Sequence, residues 1–267
     1  MVIFKYEMRN HRKYILGWAI SLAVCIFLMI PVYYSLLGGA ESTANPLYDM
    51  LGETDFFQSI GVSMEYLTAP LGIYSFLASF FMLAAGIFGM NFGISIHTKE
   101  FSGKTSEYLF TKPHTRKEIF HAKAIAVLCG SVVVGFTFMF TSFLSLTLFH
   151  PGFDLGEFIL ISNSLLLVSL LLAALGVLIG VIFSNNRSPL LTAGLVVFSE
   201  YCISSFSRII GNKGISFLSP YSYFSAADIS HTGFYEWDYL VCYLILLIMF
   251  LLIAYNVFLR KDVQFRS

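Results

Sequence analysis

Two places in this chain hold ionisable side chains in settings that could carry chemistry. The first is Glu200, the one acid deep in an apolar run, Pro189–Ile210. A carboxylate there is costly to bury and reads as functional by default, on a substrate path or at a seam between two copies. The competing readings are a structural hydrogen bond to Ser199, Ser204 or Ser205, or a broken helix that leaves Glu200 at the interface. The second is the polar stretch Thr98–Lys123, TKEFSGKTSEYLFTKPHTRKEIFHAK, which holds six of the sixteen Lys and Arg residues together with Glu100, Glu107 and Glu118. Its Gly103-Lys104-Thr105 looks like the end of a phosphate-binding loop, but that motif needs a glycine where Thr98 stands. It also follows an apolar run instead of a strand, so ATP binding by this device is excluded. His11, His97, His114, His121, His150 and His231 form no pair at helical spacing, which argues against a helical metal site. No nucleophile stands beside a base, and the chain is read as non-catalytic.

The elements that position these residues are membrane spans. Of the 267 residues 57% are hydrophobic and 12% charged, about half the charge of a soluble domain. The mean hydropathy is +0.76. The spacing predicts six transmembrane helices over Tyr14–Leu37, Leu71–His97, Ala124–Phe149, Phe158–Phe183, Pro189–Ile210 and Asp238–Leu259, each long enough for the ~20 residues a crossing needs. The runs are continuously apolar, not alternating, which excludes a β-barrel. The first run is longer than the ~7–15 residues of a signal-peptide core and is read as a retained span. Cys25, Cys129, Cys202 and Cys242 all fall in apolar runs and read as small core residues. With no basic domain, nucleic-acid binding has no support. A single transmembrane domain, 1–267, is expected.

Lys and Arg set the orientation. They gather before the first span, between the second and third, between the fourth and fifth, and after the sixth. Only Arg208 and Lys213 fall on the other side. Both termini are therefore expected in the cytoplasm. The outer loop Gly38–Pro70 carries acids and no base; its middle reads equally as a short surface helix and as a plain polar connection. The segment Gly211–Trp237 is too apolar for a free loop and too broken for a span, and is expected to form a re-entrant or interfacial pair of short helices. Trp237 and Tyr239 suit an aromatic belt. Gly89 and Gly93, and Gly176 and Gly180, have the GxxxG spacing that lets helix backbones approach, here read as packing within the chain.

Within the cytoplasmic stretch, Ser102 is expected to cap a short helix over Gly103–Thr111, with Glu107 in its body. Thr105, Tyr108, Leu109 and Lys112 share one face of it. Lys112-Pro113 ends it, and Thr115-Arg116-Lys117-Glu118 forms a capping box that opens the third span. A juxtamembrane loop facing anionic lipid is the plainer reading. The interleaved acids and the apolar face favour a protein partner.

The run Lys99-Glu100, Lys104-Thr105, Tyr108-Leu109, Thr111-Lys112-Pro113, Arg116, Glu118-Ile119 and Lys123 resembles the signature of ABC transporter permeases of the ABC-2 type. Met90–Ser95 and the opening Phe4–Arg12 are similar to a bacterial branch of that family. The resemblance implies an all-α, type-2 exporter-like fold with a cytoplasmic coupling helix between spans two and three and a broken external segment before span six. By the same resemblance, Glu100, Thr105, Glu107, Tyr108, Leu109, Pro113 and Arg116 couple the chain to a separate ABC ATPase, and Val2–Lys13 forms an interfacial helix beside it. Two ATPase copies and a second permease chain, in a homo- or heterodimer, complete the implied transporter, surrounded by membrane lipid. ATP and Mg belong to the ATPase and no cofactor to this chain. The implied function is export of an amphipathic peptide, lipid-like molecule or drug across a bacterial plasma membrane. Two alternatives are an ion-coupled carrier or channel using Glu200, and a non-transporting scaffold or sensor subunit.

Overall fold

The computed structural model describes residues 2–37, 71–102 and 115–260. The outer loop 38–70, read equally as a surface helix and as a plain connection, the short helix expected over 103–111, and Lys261 and Arg266 lie outside these residues. Among the described residues the regular structure is all helix, with no strand. In chain order the helices are α1 (Val2–Leu37), α2 (Gly72–Ser102), α3 (Arg116–Phe149), α4 (Leu155–Ile182), α5 (Pro189–Ile210), α6 (Lys213–Ser216), α7 (Pro220–Tyr223), α8 (Ala226–Thr232) and α9 (Trp237–Arg260). Six of them, α1 to α5 and α9, are long and apolar enough to cross a membrane.

The first helix departs from expectation. Instead of an interfacial helix followed by a span, α1 is one continuous helix of 36 residues. At 1.5 Å per residue it is about 54 Å long, against ~30 Å of hydrocarbon, so its first turns extend past the bilayer. Its buried side chains, Glu7, Ile15, Ala19, Leu22, Ile26, Ile30 and Tyr34, fall at spacings of three, four or eight along one stripe. At the other end of the polar stretch, α2 continues through Ser102, the residue expected to start a new helix.

The bundle is built on two close pairs, α2 with α4 and α1 with α3. The α2–α4 seam is a backbone contact made possible by glycine. A Cβ on Gly93 would lie 2.5 Å from the Ala173 carbonyl oxygen, and one on Gly176 would lie 2.4 Å from that of Met90. Both GxxxG pairs thus serve packing within the chain. Higher in the seam, the Tyr74 and Ser162 hydroxyls share a buried hydrogen bond of 2.6 Å. The α1 helix is held to α2 by Asn91 Nδ2, which donates to Tyr14 Oη at 2.7 Å, and by stacking of the Tyr14 and Phe88 rings. The Ser145 hydroxyl of α3 donates to the Phe27 carbonyl of α1 at 3.2 Å.

The cysteines correct the sequence reading. All four are free; Cys25 and Cys202 are exposed on the bundle's outer faces, and Cys129 and Cys242 are only partly covered. An apolar run shows that a residue is in the membrane, not that it faces protein.

The segment before α9 folds back on the bundle as three short helices, α6 to α8, where a pair was expected. Gly211 closes α5 in the left-handed conformation (φ 68°), which glycine adopts without strain. The chain then turns back into the bundle, and Tyr221, Tyr223, Phe224, Ala226 and Ile229 are all buried. Serines cap the short helices: Ser219 Oγ accepts from the Tyr221 N–H and Ser225 Oγ from that of Asp228. Tyr223 stacks on Tyr239 of α9, and Phe224 meets Tyr243 edge-on.

Candidate functional site

The polar stretch between α2 and α3 is rooted in a junction at the cytoplasmic end of the bundle. Thr115 and Glu118 form the expected capping box: Thr115 Oγ1 accepts from the Glu118 N–H at 3.3 Å, and the Glu118 carboxylate accepts from the Thr115 N–H at 3.1 Å. The box satisfies two free amides at the point where α3 begins.

Behind it four ionisable side chains from three helices converge. Glu7 of α1 is 2% exposed, Lys123 of α3 is 2% exposed and Lys99 of α2 is 25% exposed. The Lys99 ammonium donates to Glu7 Oε2. Lys123 Nζ stands 4.0 Å from Glu7 Oε1 and donates to the Ile96 carbonyl at 2.7 Å. His11, one turn after Glu7, places Nε2 3.7 Å from Glu7 Oε2 and 3.5 Å from Lys99 Nζ. The Tyr6 ring lies under the Lys99 ammonium at 5.8 Å. Charges this deep persist because they are paired; removing one partner of such a set costs about 3–5 kcal/mol.

An aromatic cluster adjoins the charges. Phe120 of α3 packs against His97 of α2 and against Tyr255 and Phe258 of α9, with ring centroids 5.5 to 5.9 Å apart. His97 is fully enclosed, its Nδ1–H donating to the Gly93 carbonyl at 3.1 Å, while its Nε2 has no hydrogen-bond partner among the described residues. Arg116 Nη1 donates at 3.3 Å to the Leu259 carbonyl in the last turn of α9, where a cation complements the helix dipole. The junction therefore joins α1 and α9 to both stems of the polar stretch.

Of the residues expected to couple the chain to a partner, Arg116 is in this junction. Glu100 lies in the last turn of α2. Thr105, Glu107, Tyr108, Leu109 and Pro113 lie outside the described residues. The sequence reading did not single out Glu7. A usable signal existed: Glu7 and His11 continue, at four-residue steps, the stripe that becomes Ile15 and Ala19. An acid in register with a buried face, among flanking bases, needs a counter-charge inside.

Glu200 is part of a second polar region, beneath the re-entrant segment. Its backbone carbonyl accepts from Ser219 Oγ at 2.7 Å. Its Oε2 is buried with no hydrogen-bond partner among the described residues. Of the serines offered to explain it, Ser199 donates to Leu195 O and Ser204 accepts from Ser222. Tyr221 is buried close by, its hydroxyl likewise unpartnered among those residues and its ring edge-on to Tyr201. A cavity of about 20 Å³ opens between α2, α5 and α7, lined by Ser79, Tyr201, Ser204, Arg208 and Tyr221 among others. That is room for ~1 water molecule. Among the described residues, no three His, Cys, Asp or Glu side chains gather where they could hold a metal ion.

A family model described as ABC-2 family transporter protein matches residues 1–263. Among curated proteins none matches.

Proposed function

The chain belongs to the ABC-2 family of transporter proteins, and on that premise we propose that it is the permease subunit of an ATP-driven exporter in a bacterial plasma membrane. A cytoplasmic ABC ATPase, present twice, docks on residues 98–123 and binds the ATP and Mg. A second permease chain, identical or different, completes the transporter. Closure of the ATPases displaces the docked segment, and the spans switch the side to which they open. The cargo is amphipathic: a peptide, a lipid-like molecule or a drug. A chain with 28 Phe and 15 Tyr offers apolar, polarisable surface for such a molecule.

The observation that carries the coupling reading is the junction. Its buried charges and packed rings fasten the root of the segment to α1 and α9, so a displacement there has somewhere to go. The test is a mild-detergent pull-down of the tagged chain from its native membrane. A stoichiometric soluble protein with a phosphate-binding loop should accompany it. Leu109→Asp should abolish that association while elution and thermal unfolding of the permease stay unchanged. Retained association in the variant would remove the docking role of this segment.

The Glu200 oxygen that has no hydrogen-bond partner among the described residues favours a second reading, in which the chain is an ion-coupled carrier. Glu200→Gln would then abolish gradient-driven flux that persists after ATP depletion; unchanged ATP-dependent export in the variant sinks this reading. A scaffold or sensor subunit would bind partners without any flux.

A further inference from the structure

Pro31 stands inside α1, six residues before its last, Leu37. Pro189 and Pro220 open their helices, where a missing N–H costs nothing. Pro31 instead breaks a ladder already under way. It has no N–H, so the carbonyl four residues back, that of Phe27, loses the donor that a helix would give it. The proline ring also crowds that carbonyl and tilts it outward. Phe27 and Pro31 lie well inside an apolar run, where water offers no replacement.

Ser145 of α3 supplies the missing donor. Its hydroxyl reaches the Phe27 carbonyl at 3.2 Å, across the α1–α3 contact and 118 positions along the chain. Hydroxyls inside helices commonly turn back on their own backbone. Here Ser75, Thr98, Thr137, Thr141 and Ser164 each donate to the carbonyl four residues earlier. Ser145, which is fully buried, donates to another helix instead, at the carbonyl that proline has set free. The same end of α3 holds α1 on both sides of the break. The Phe149 ring meets Phe27 edge-on at 6.0 Å before it, and His150 stacks on Tyr34 after it.

We propose that Ser145 is a positioning residue: its hydroxyl replaces the amide that Pro31 lacks and fixes the angle at which the end of α1 leaves the break. The last turns of α1 are thereby steered by α3 as well as by their own ladder. Without the hydroxyl, the Phe27 carbonyl is left bare and the end of α1 samples a wider range of angles. This is a property of the fold, and it holds whether or not the chain is the permease of an exporter.

The first readout is a double-mutant cycle on the full-length chain in detergent. Ser145→Ala should lower the thermal midpoint by about 3–6 °C, because it leaves a buried acceptor unpaired. Pro31→Ala returns an N–H to the ladder. In that background Ser145→Ala should lower the midpoint by less than about a third as much. An equal loss in both backgrounds assigns Ser145 to packing alone and overturns the proposal. If Ser145→Ala does not accumulate in the membrane, the double variant should; failure of both overturns the proposal as well.

The second readout is the bend itself. Spin labels replace the exposed Ile20 and Ser35 of α1, with the native cysteines changed to alanine. They bracket the break at a separation of about 22 Å on a straight helix. The labelled chain is diluted with unlabelled chain in lipid nanodiscs, so that only pairs within one chain are read. The distance distribution should be narrow with Ser145 present and broad in Ser145→Ala. It should narrow again when Pro31→Ala is added. A distribution that Ser145→Ala leaves unchanged overturns the steering role, whatever the midpoints show.

Discussion

At the scale of single residues, the cap and the cation at the start of α3 divide two tasks. Thr115 and Glu118 satisfy the helix's own first amides, whereas Arg116 reaches across to the last turn of α9. Thr115→Ala should therefore cost about 1 kcal/mol and act locally. It should appear as faster amide exchange in the first turn of α3, with the rest of the bundle unaffected. On the outer side, His150 stacks on Tyr34 with ring centroids 3.9 Å apart, and burial holds its pKa below the ordinary 6.5. The folded ring resists a proton that the unfolded chain accepts. This contribution to stability is intact above 6.5 and is lost as the pH falls below that value. The thermal midpoint in detergent should fall between about pH 7.5 and 5, and by less in His150→Phe, which keeps the stack and cannot titrate. An equal fall in both proteins would show that other groups account for it.

Among the helices, the α2–α4 seam makes the sharpest demand on sequence. Gly176→Ala places a methyl against the Met90 carbonyl in backbone contact, where no flexible side chain can give way. The substitution should cost about 1–3 kcal/mol or prevent insertion outright, seen as a lowered unfolding midpoint or lost expression. Gly194→Ala, where a Cβ meets nothing within 4 Å, should leave both unchanged. That these glycines pack within the chain was legible in the sequence, because GxxxG spacing lets backbones approach, but the pattern did not name the helix that each one meets. The six apolar helices, the capping box at Thr115 and the interruption before α9 were legible as local patterns too. The charge junction was not. Glu7 and Lys99 are 92 positions apart, and nothing local to either names the other. The extension of α1 was also missed, since bases next to a span usually mark an interface, and only the buried stripe reveals that the helix continues. The cysteines were misjudged because hydropathy does not separate a lipid-facing residue from a protein-facing one.

For the whole molecule, burial is uneven. The most apolar stretches of α2 and α4 are 67% and 61% buried within the chain, those of α5 and α9 only 22% and 11%. Leu195, Phe198 and Phe206 on α5 and Ile245, Ile248 and Leu252 on α9 are all more than half exposed. Lipid can cover such faces, but the native thiol of Cys202 on α5 gives a direct test of a second permease chain beside it. If α5 lines the seam, a short bis-maleimide should link two copies through Cys202 in native membranes, and Cys202→Ser should abolish the product. Linkage that survives in the variant would place the seam elsewhere. The glycine-lined α2–α4 contact then acquires a mechanical meaning. Two helices touching through their backbones have no side chains to re-sort, so they cannot roll past one another in small steps. They form a fixed pair at the centre of the bundle, while the apolar stretches of α5 and α9 are left mostly uncovered by the rest of the chain.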